Sequence, residues 1–121
     1  MDQKAGVGQL GVQSRMAGAV TVIDLSGSVR QSDEVTVLCR FLRERLDERQ
    51  PRVLLNLQAM EYMDSSGLGA VVEARAHAIA IGTQLRCCAL NPLISKMFYQ
   101  LRLETVMEIY PTEDEALAGW S

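Results

Sequence analysis

The sequence predicts an α/β fold: a mixed, mostly parallel sheet of four to five strands, with an N-terminal hairpin and about four helices. The chain has 121 residues, of which 48% are apolar and 22% charged, which suits one compact domain. Strand-like and helix-like segments alternate in the order β-β-α-β-α-β-α-β-α, which is typical of a mostly parallel sheet. A nearly continuous apolar run at 53–57 is typical of a central strand covered on both faces.

The N-terminal part of the chain predicts the hairpin. Loose alternation of apolar and polar residues over 7–15, then a run rich in β-branched residues over 20–25, indicates two antiparallel strands joined by a turn. Residues 1–5 precede this pattern, and we expect them to form a flexible tail.

A helix and the central strand follow. From Ser32 the apolar residues recur at helical spacing, and Pro51 ends the helix. The residues on its predicted buried face are Val35, Leu38, Leu42 and Leu46. After the central strand at 53–57, residues 58–63 are predicted to form a loop.

A second helix is predicted from Asp64 to about Ile81, where Gly82 ends it. Its many small residues would let another surface approach closely. We expect its buried residues to be Leu68, Val71, Val72 and Ile79, and its solvent-facing residues to be Glu73, Arg75 and His77.

The C-terminal part predicts two more strands, at 84–90 and 106–110, each followed by a helix. Asn91 is an N-cap followed by Pro92 at the first helical position. The helical face after this cap is predicted from Leu93, Met97 and Leu101, with Ile94 and Phe98 beside it. A capping box at 112–115 starts the last helix.

Composition excludes several functions. Twelve basic and fifteen acidic residues give a net charge of −3, which argues against a nucleic-acid partner. The chain lacks both a long apolar run and a signal peptide, so we expect a cytoplasmic protein without membrane insertion. Cys39, Cys87 and Cys88 lack C-x-x-C spacing and His77 is the only histidine. We therefore expect buried thiols, no metal site and no catalytic histidine.

Three consecutive polar residues, Asp64, Ser65 and Ser66, start the second predicted helix. Their commonest role there is capping, because their oxygens accept bonds from backbone N–H groups without helical partners. One cap needs only one of them, however. An exposed hydroxyl at this place would also tolerate a phosphate, because free N–H groups and the positive end of the helix dipole lie beside it.

These segments resemble the STAS domain family, which contains anti-sigma factor antagonists and cytoplasmic domains of sulphate transporters. The likeness covers about residues 7 to 120 in order and spacing, and it implies a single STAS domain over residues 1–121. The segments that carry it are VLLNL at 53–57, DSSGLG at 64–69, LSG at 25–27, CALNP at 88–92, and YPTE at 110–113 with Ala116.

The resemblance implies an anti-sigma factor antagonist that acts by partner switching. In this family a serine kinase, which otherwise holds a sigma factor, phosphorylates the serine after the motif aspartate, here Ser65. The chain would then be a substrate rather than an enzyme, with no cofactor. The implied partners are an anti-sigma factor serine kinase of the GHKL ATPase type and a PP2C-type phosphatase. The implied partner-binding residues are Ser28, Arg30, Asp64, Ser66, Gly67, Leu68 and Gly69.

Arg30 departs from the family pattern. Signalling members commonly carry an acid at this position, in L-x-G-x-x-D, whereas this chain reads LSGSVR at 25–30. If Arg30 lies near Ser65, it could pair with a phosphate or select a partner with an acidic surface. The alternative is a solvated arginine before the first helix.

Two other functions stay open. A non-switching STAS subunit of a lipid ABC transporter would use the same surface to dock on its ATPase. An enzyme or nucleotide-binding domain is favoured only by a helix start suited to phosphate, since the chain has no Gly-x-x-x-x-Gly-Lys loop. The oligomeric state, including a homodimer, also stays open.

Overall fold

A computed structural model describes residues 3–30 and 33–120, with side chains from residue 8 onwards. Within these residues the chain forms six strands, four α-helices and a short 3₁₀ helix at Leu103–Thr105. In chain order the elements are β1 (Gln3–Val7), β2 (Leu10–Ala17), β3 (Val20–Val29), α1 (Asp33–Asp47), β4 (Arg52–Met63), α2 (Ser65–Ile81), β5 (Gln84–Cys88), α3 (Pro92–Gln100), β6 (Glu108–Tyr110) and α4 (Glu113–Ala118).

The six strands form one sheet in the order β1-β2-β3-β4-β5-β6. β1 to β3 are antiparallel neighbours, whereas β3 to β6 are parallel neighbours, so the predicted mixed α/β fold is confirmed. The strand count exceeds the predicted four to five because Gln3–Val7 pairs with β2. Residues 3–5 of the expected tail therefore lie in a strand, while Met1 and Asp2 lie outside the described residues.

Strand β4 is longer than predicted. Residues 58–63, expected to form a loop, continue the strand and pair with the second half of β3 as far as Val29↔Met63. The pairing contains two register shifts, opposite Asp24–Ser26 and Gly27–Ser28 of β3, and at each of them β4 has one extra residue. No loop therefore separates β4 from the start of α2, because only Asp64 lies between them.

The sheet separates two hydrophobic cores. Helices α1, α2 and α3 bury their apolar residues against one face, and α4 packs on the other face over a smaller cluster. Residues 53–57 of β4 supply both cores, since Leu55 belongs to the first cluster and Leu54 to the second, each with 0% exposure. The prediction of a central strand covered on both faces is therefore correct.

Local signals place the helix ends. Asp64 caps α2, and Gly82 ends it with a left-handed φ of 78°. Asn91 caps α3 by accepting from the N–H of Ile94, and Thr112 caps α4 by accepting from the N–H of Glu115. No helix in the described part of the chain is long and apolar enough to cross a membrane.

The buried face of α2 differs in part from the prediction. Leu68 and Val71 are buried as expected, but Val72 and Ile79 are 39% and 60% exposed. Small residues complete the buried face instead, and they are Gly67, Ala70, Ala74 and Ala78. A side chain with little bulk lets the helix axis lie close to the sheet, which turns Val72 and Ile79 towards solvent.

Helix α3 is rotated relative to the prediction. Its buried residues are Ile94 and Phe98, at 0% and 1% exposure, whereas Leu93 and Leu101 are 46% and 58% exposed. The two apolar stripes lie one residue apart on the helix, and the sheet contacts the second one.

The cysteines are packed as predicted. Cys87 and Cys88 are buried and Cys39 is half-buried. Burial raises the pKa of the Cys88 thiol to about 12, so this thiol stays protonated at neutral pH and behaves as a small apolar side chain.

Side chains from the sheet hold the C-terminal segment in place. Trp120 is 7% exposed, and its Nε1 donates a hydrogen bond to Gln84 Oε1 at 2.8 Å. The guanidinium of Arg86 lies 4.2 Å from the centre of the Trp120 ring. Arg86 Nη1 also donates to the carbonyl oxygen of Ala116 at 2.7 Å. These contacts fix α4, which has only six residues, on the sheet.

An ion-pair network joins the first turn of α4 to the sheet. Arg15 pairs with both Asp24 and Glu113, and Asn56 Nδ2 donates to Glu113 Oε1 at 2.9 Å. The hydrogen bond from Arg15 is the main cause that holds the pKa of Glu113 below its ordinary value. A carboxyl group whose pKa is lowered by folding stabilises the folded state only where it is ionised.

Acid should therefore weaken the chain partly through Glu113. The stabilisation is present above the pKa of the unfolded chain and is lost as the pH falls through the lower pKa of the folded chain. We expect wild type to lose on the order of 1 kcal/mol more unfolding free energy than Glu113→Gln between about pH 6 and pH 3. Urea unfolding at a series of pH values measures this difference. The control is Glu115→Gln, in the same exposed helical turn, and equal pH profiles for Glu113→Gln and wild type would contradict the prediction.

Candidate functional site

The carboxyl ends of β3 and β4 meet at one edge of the sheet. Ser28 pairs with Tyr62 and Val29 with Met63, and the N–H of Asp64 donates to the carbonyl oxygen of Val29 at 3.0 Å. This bond extends the strand pairing as far as Asp64, the residue that caps α2. The two predicted motifs, at 25–30 and 64–69, are therefore neighbours in space.

Asp64 alone supplies the observed side-chain cap of α2. Its Oδ1 accepts from the N–H groups of Ser66 and Gly67 at 2.9 and 3.0 Å. Ser65 and Ser66 are both exposed and neither is the cap. Of the two interpretations of the polar triplet, capping thus accounts for Asp64 and leaves the two serine hydroxyls at the surface.

Gly67 lets α2 approach the end of β3. A Cβ at this position would lie 2.9 Å from Val29 Cγ1 and 3.1 Å from Met63 Cβ, closer than ordinary contacts allow. The next residue, Leu68, is 1% exposed and belongs to the main core. The position of Ser65 is therefore determined by packing on its C-terminal side and by strand pairing on its other side.

The turn between β1 and β2 contacts this edge of the sheet through backbone hydrogen bonds. The carbonyl oxygen of Gln9 accepts from the N–H of Ser28 at 3.1 Å, and Gly27 adopts a left-handed φ of 80° directly beside it. The carboxylate of Glu34 accepts from the N–H groups of Gln9 and Arg30, each at 2.8 Å. The hydrogen bond from Gln9 is the main cause that lowers the pKa of Glu34, and the bond from Arg30 is the next. The Glu34 carboxylate is therefore ionised at neutral pH.

Arg30 lies on the exposed side of the same edge. Its guanidinium stands 4.9 Å from the centre of the Tyr62 ring, in the range of a cation–π contact. Within residues 8–30 and 33–120, this guanidinium forms no ion pair and donates no hydrogen bond. The side chain therefore has an orienting ring contact, and its N–H groups have no acceptor among the described residues.

The structure brings all of the predicted site residues to this edge but gives them different exposure. The exposed ones are Arg30, Ser65, Ser66 and Gly69, and we call them the Ser65 surface. Asp64 is half-buried, and Ser28, Gly67 and Leu68 are buried. The buried residues can support the surface, but they offer a partner little area.

An uncharged stripe on the outward face of α2 continues the Ser65 surface, and the exposed Glu73 lies beside this stripe. The exposed residues that recur on this face at helical spacing are Ser65, Gly69, Val72, Ala76 and Ile79. A solvated helix usually carries charged residues outward. This face therefore suits contact with another protein better than contact with water.

Tyr62, Glu34 and Gln9 also contribute to this edge, and none of them was predicted from the sequence. Tyr62 falls within the predicted loop at 58–63, and Glu34 is an acid in the first turn of α1, which is favourable at any helix start. Gln9 and Glu34 meet across 25 positions of the chain, and no local pattern indicates such a contact. The one usable signal was Gly27, since a glycine after a strand often marks a left-handed turn.

The histidine lies at the other end of α2. His77 was expected to face solvent but is half-buried, because it packs against α1, where its Nε2 is 2.6 Å from Asp47 Oδ1. The small cavity beside it, between α1 and α2, has room for about one water molecule. The pair joins two helices and is far along α2 from Ser65.

Comparisons with known proteins identify the family and the fold. The STAS domain family matches residues 12–116. A curated relative, an anti-sigma F factor antagonist of Paenibacillus polymyxa, is 28% identical over 99 residues, which is 81% of this chain and 84% of the relative.

Two solved structures show the same fold. An anti-sigma factor antagonist from Mycobacterium paratuberculosis superposes with a TM-score of 0.81 at 20% identity, covering 91% of this chain and 92% of the other. The Bacillus cell fate determinant SpoIIAA in its phosphorylated form superposes with a TM-score of 0.71 at 22% identity, covering 91% and 99%.

Proposed function

Because the chain belongs to the STAS domain family, we propose that it is a cytoplasmic anti-sigma factor antagonist that acts by partner switching. In its unphosphorylated form it binds an anti-sigma factor serine kinase, and phosphorylation of Ser65 releases that kinase. The observation that carries the proposal is that Ser65 is exposed and is not needed as a cap. Its neighbour Asp64 caps α2 instead. The name of the curated relative supports the same function.

The chemistry of the switch follows from charge and burial. A phosphate on Ser65 adds about 1.5 to 2 negative charges at pH 7. In a contact that excludes water, such a group without a partner costs several kcal/mol. A loss of about 2.8 kcal/mol weakens binding about a hundredfold, which is enough to dissociate a micromolar complex at cellular concentrations.

The proposed contact consists of the Ser65 surface and the uncharged stripe on the outward face of α2. Ser28, Asp64, Gly67 and Leu68 support it from inside the fold. A PP2C-type phosphatase would restore the binding form by removing the phosphate from an exposed serine.

The acceptor residue can be tested with the kinase. We expect the cognate kinase, identified by capture from native lysate and then purified, to phosphorylate wild type with ATP at Ser65. Ser65→Ala should receive no phosphate, whereas Ser66→Ala, the matched exposed neighbour, should be modified normally. Tandem mass spectrometry locates the phosphate. A Ser65→Ala protein that is fully modified at another residue would contradict the assignment.

The switch itself is tested by affinity. Phosphoserine at position 65 should weaken binding to the purified kinase about a hundredfold, measured by calorimetry. Phosphoserine at Ser95, an exposed serine on α3, is the control and should leave binding unchanged. If the unmodified chain and the chain with phosphoserine at position 65 captured a transporter ATPase equally well, the chain would instead be a non-switching subunit.

A further inference from the structure

The Ser65 surface contains one cation, Arg30, which lies beside an aromatic ring. Arg30 is exposed, and its guanidinium lies over the Tyr62 ring at 4.9 Å. A cation–π contact does not consume the N–H groups of a guanidinium as hydrogen bonds to acceptors do. These donors match the geometry of phosphate oxygens, which arginine binds with two parallel hydrogen bonds.

Strand pairing brings this cation close to Ser65. The N–H of Asp64 bonds to the carbonyl oxygen of Val29, so Arg30 and Ser65 each follow directly after a bonded residue on adjacent chain segments. Adjacent strands are about 4.8 Å apart, which is shorter than an extended arginine side chain. A phosphate on Ser65 is therefore within reach of the Arg30 guanidinium.

Two carboxylates of this edge bond to backbone N–H groups. Glu34 accepts from two such groups, and Asp64 accepts from two at the start of α2. Glu34 also attracts Arg30 electrostatically, without an ion pair at contact distance among the described residues. Arg30 is thus the side chain of the Ser65 surface that can compensate a new negative charge.

From this arrangement we infer that Arg30, oriented by Tyr62, binds the phosphate of phospho-Ser65 within the same chain. The inference rests on the proposed modification of Ser65. The pairing removes Arg30 from the surface that the unphosphorylated chain offers to its partner. Phosphorylation then changes two features of the contact, because it adds an anion and withdraws a cation.

The test needs no kinase, because phosphoserine can be inserted at position 65 during translation. Titration followed by phosphorus NMR measures the second pKa of the phosphate, which is about 6 for phosphoserine. A nearby cation favours the dianion and lowers this pKa. We expect the value in wild type to lie about half a unit or more below that in Arg30→Gln.

Three further variants separate charge, orientation and background. Arg30→Lys keeps the charge without the planar fork and should recover part of the shift. Tyr62→Leu removes the orienting ring and should also reduce the shift. Arg49→Gln removes one exposed arginine in the turn after α1 and should behave as wild type. Glu34 and Asp64 are present in every variant, so their effect cancels in the differences.

An equal phosphate pKa in wild type and Arg30→Gln would overturn the inference, provided that the two proteins give the same amide spectrum elsewhere. The proposed function fails by a different result, namely absence of kinase modification at Ser65. The two outcomes are independent, because the phosphate in this experiment is inserted genetically.

Discussion

Replacing Gly27 with alanine is expected to lower the free energy of unfolding by about 3 kcal/mol or more. Gly27 has a φ of 80°, which costs an L-residue about 1 to 2 kcal/mol. A Cβ at this position would also lie 1.7 Å from the carbonyl oxygen of Gln9, and that atom is backbone. The same oxygen accepts the N–H of Ser28, so relief of the clash would break a hydrogen bond beneath the Ser65 surface.

Gly18→Ala is the matched control for this substitution. Gly18 also has a left-handed φ, 62°, but no atom lies within 4 Å of the Cβ position. It should therefore lose only the backbone term, about 1 to 2 kcal/mol. Urea denaturation of both variants gives the comparison. If both variants lost the same free energy of unfolding, the turn at Gly8 and Gln9 would have to move away from the new Cβ at little cost. That result would contradict the prediction.

Trp120→Ala is expected to cost about 3 to 5 kcal/mol, the range for truncation of a buried large aromatic side chain. The substitution removes the largest side chain of the smaller core, which also contains Val22, Leu54 and Ala116. It leaves the Gln84 amide without its indole partner and Arg86 without one of its two stacking rings. Much of the sheet face beneath α4 would then contact water.

Tyr99→Ala controls for the loss of an aromatic ring as such. Tyr99 is 71% exposed on α3, and its truncation should change stability by less than about 0.5 kcal/mol. Thermal and urea unfolding of the two variants measure the difference. A Trp120→Ala protein as stable as Tyr99→Ala would show that α4 contributes little to the fold.

The elements that sequence analysis predicted well are those with local chemical signals. Asp64, Gly82, Asn91 and Thr112 each end or start a helix through bonds to residues within five positions. The apolar run at 53–57 likewise indicates burial by its composition alone. Such signals do not depend on the rest of the chain, so a single sequence displays them.

The errors arose where the pattern was ambiguous or the cause was distant. Residues 58–63 alternate poorly and contain few β-branched residues, so pairing with β3, rather than propensity, makes them a strand. Apolar residues lie on every side of helix α2, and its sequence therefore has no periodic signal to separate the buried Val71 from the exposed Val72. On α3, two apolar stripes competed, and only contact with the sheet decides between them.

The candidate site shows the same division. The motif at 64–69 identified Ser65, but the support of the site comes from contacts between distant residues. Glu34 reaches Gln9 across 25 positions, and Arg15 reaches Glu113 across 98. The position of Arg30 over Tyr62 depends on the register of β3 and β4. That register includes two shifts, which no local sequence pattern predicts.

The direct passage from β4 into α2 has a thermodynamic consequence. Because strand pairing, a cap and a packed glycine already order the backbone around Ser65, a partner that docks there has little chain entropy to remove at this junction. The heat capacity change on association should then scale with the apolar area that the two proteins bury, without the larger contribution that accompanies coupled folding.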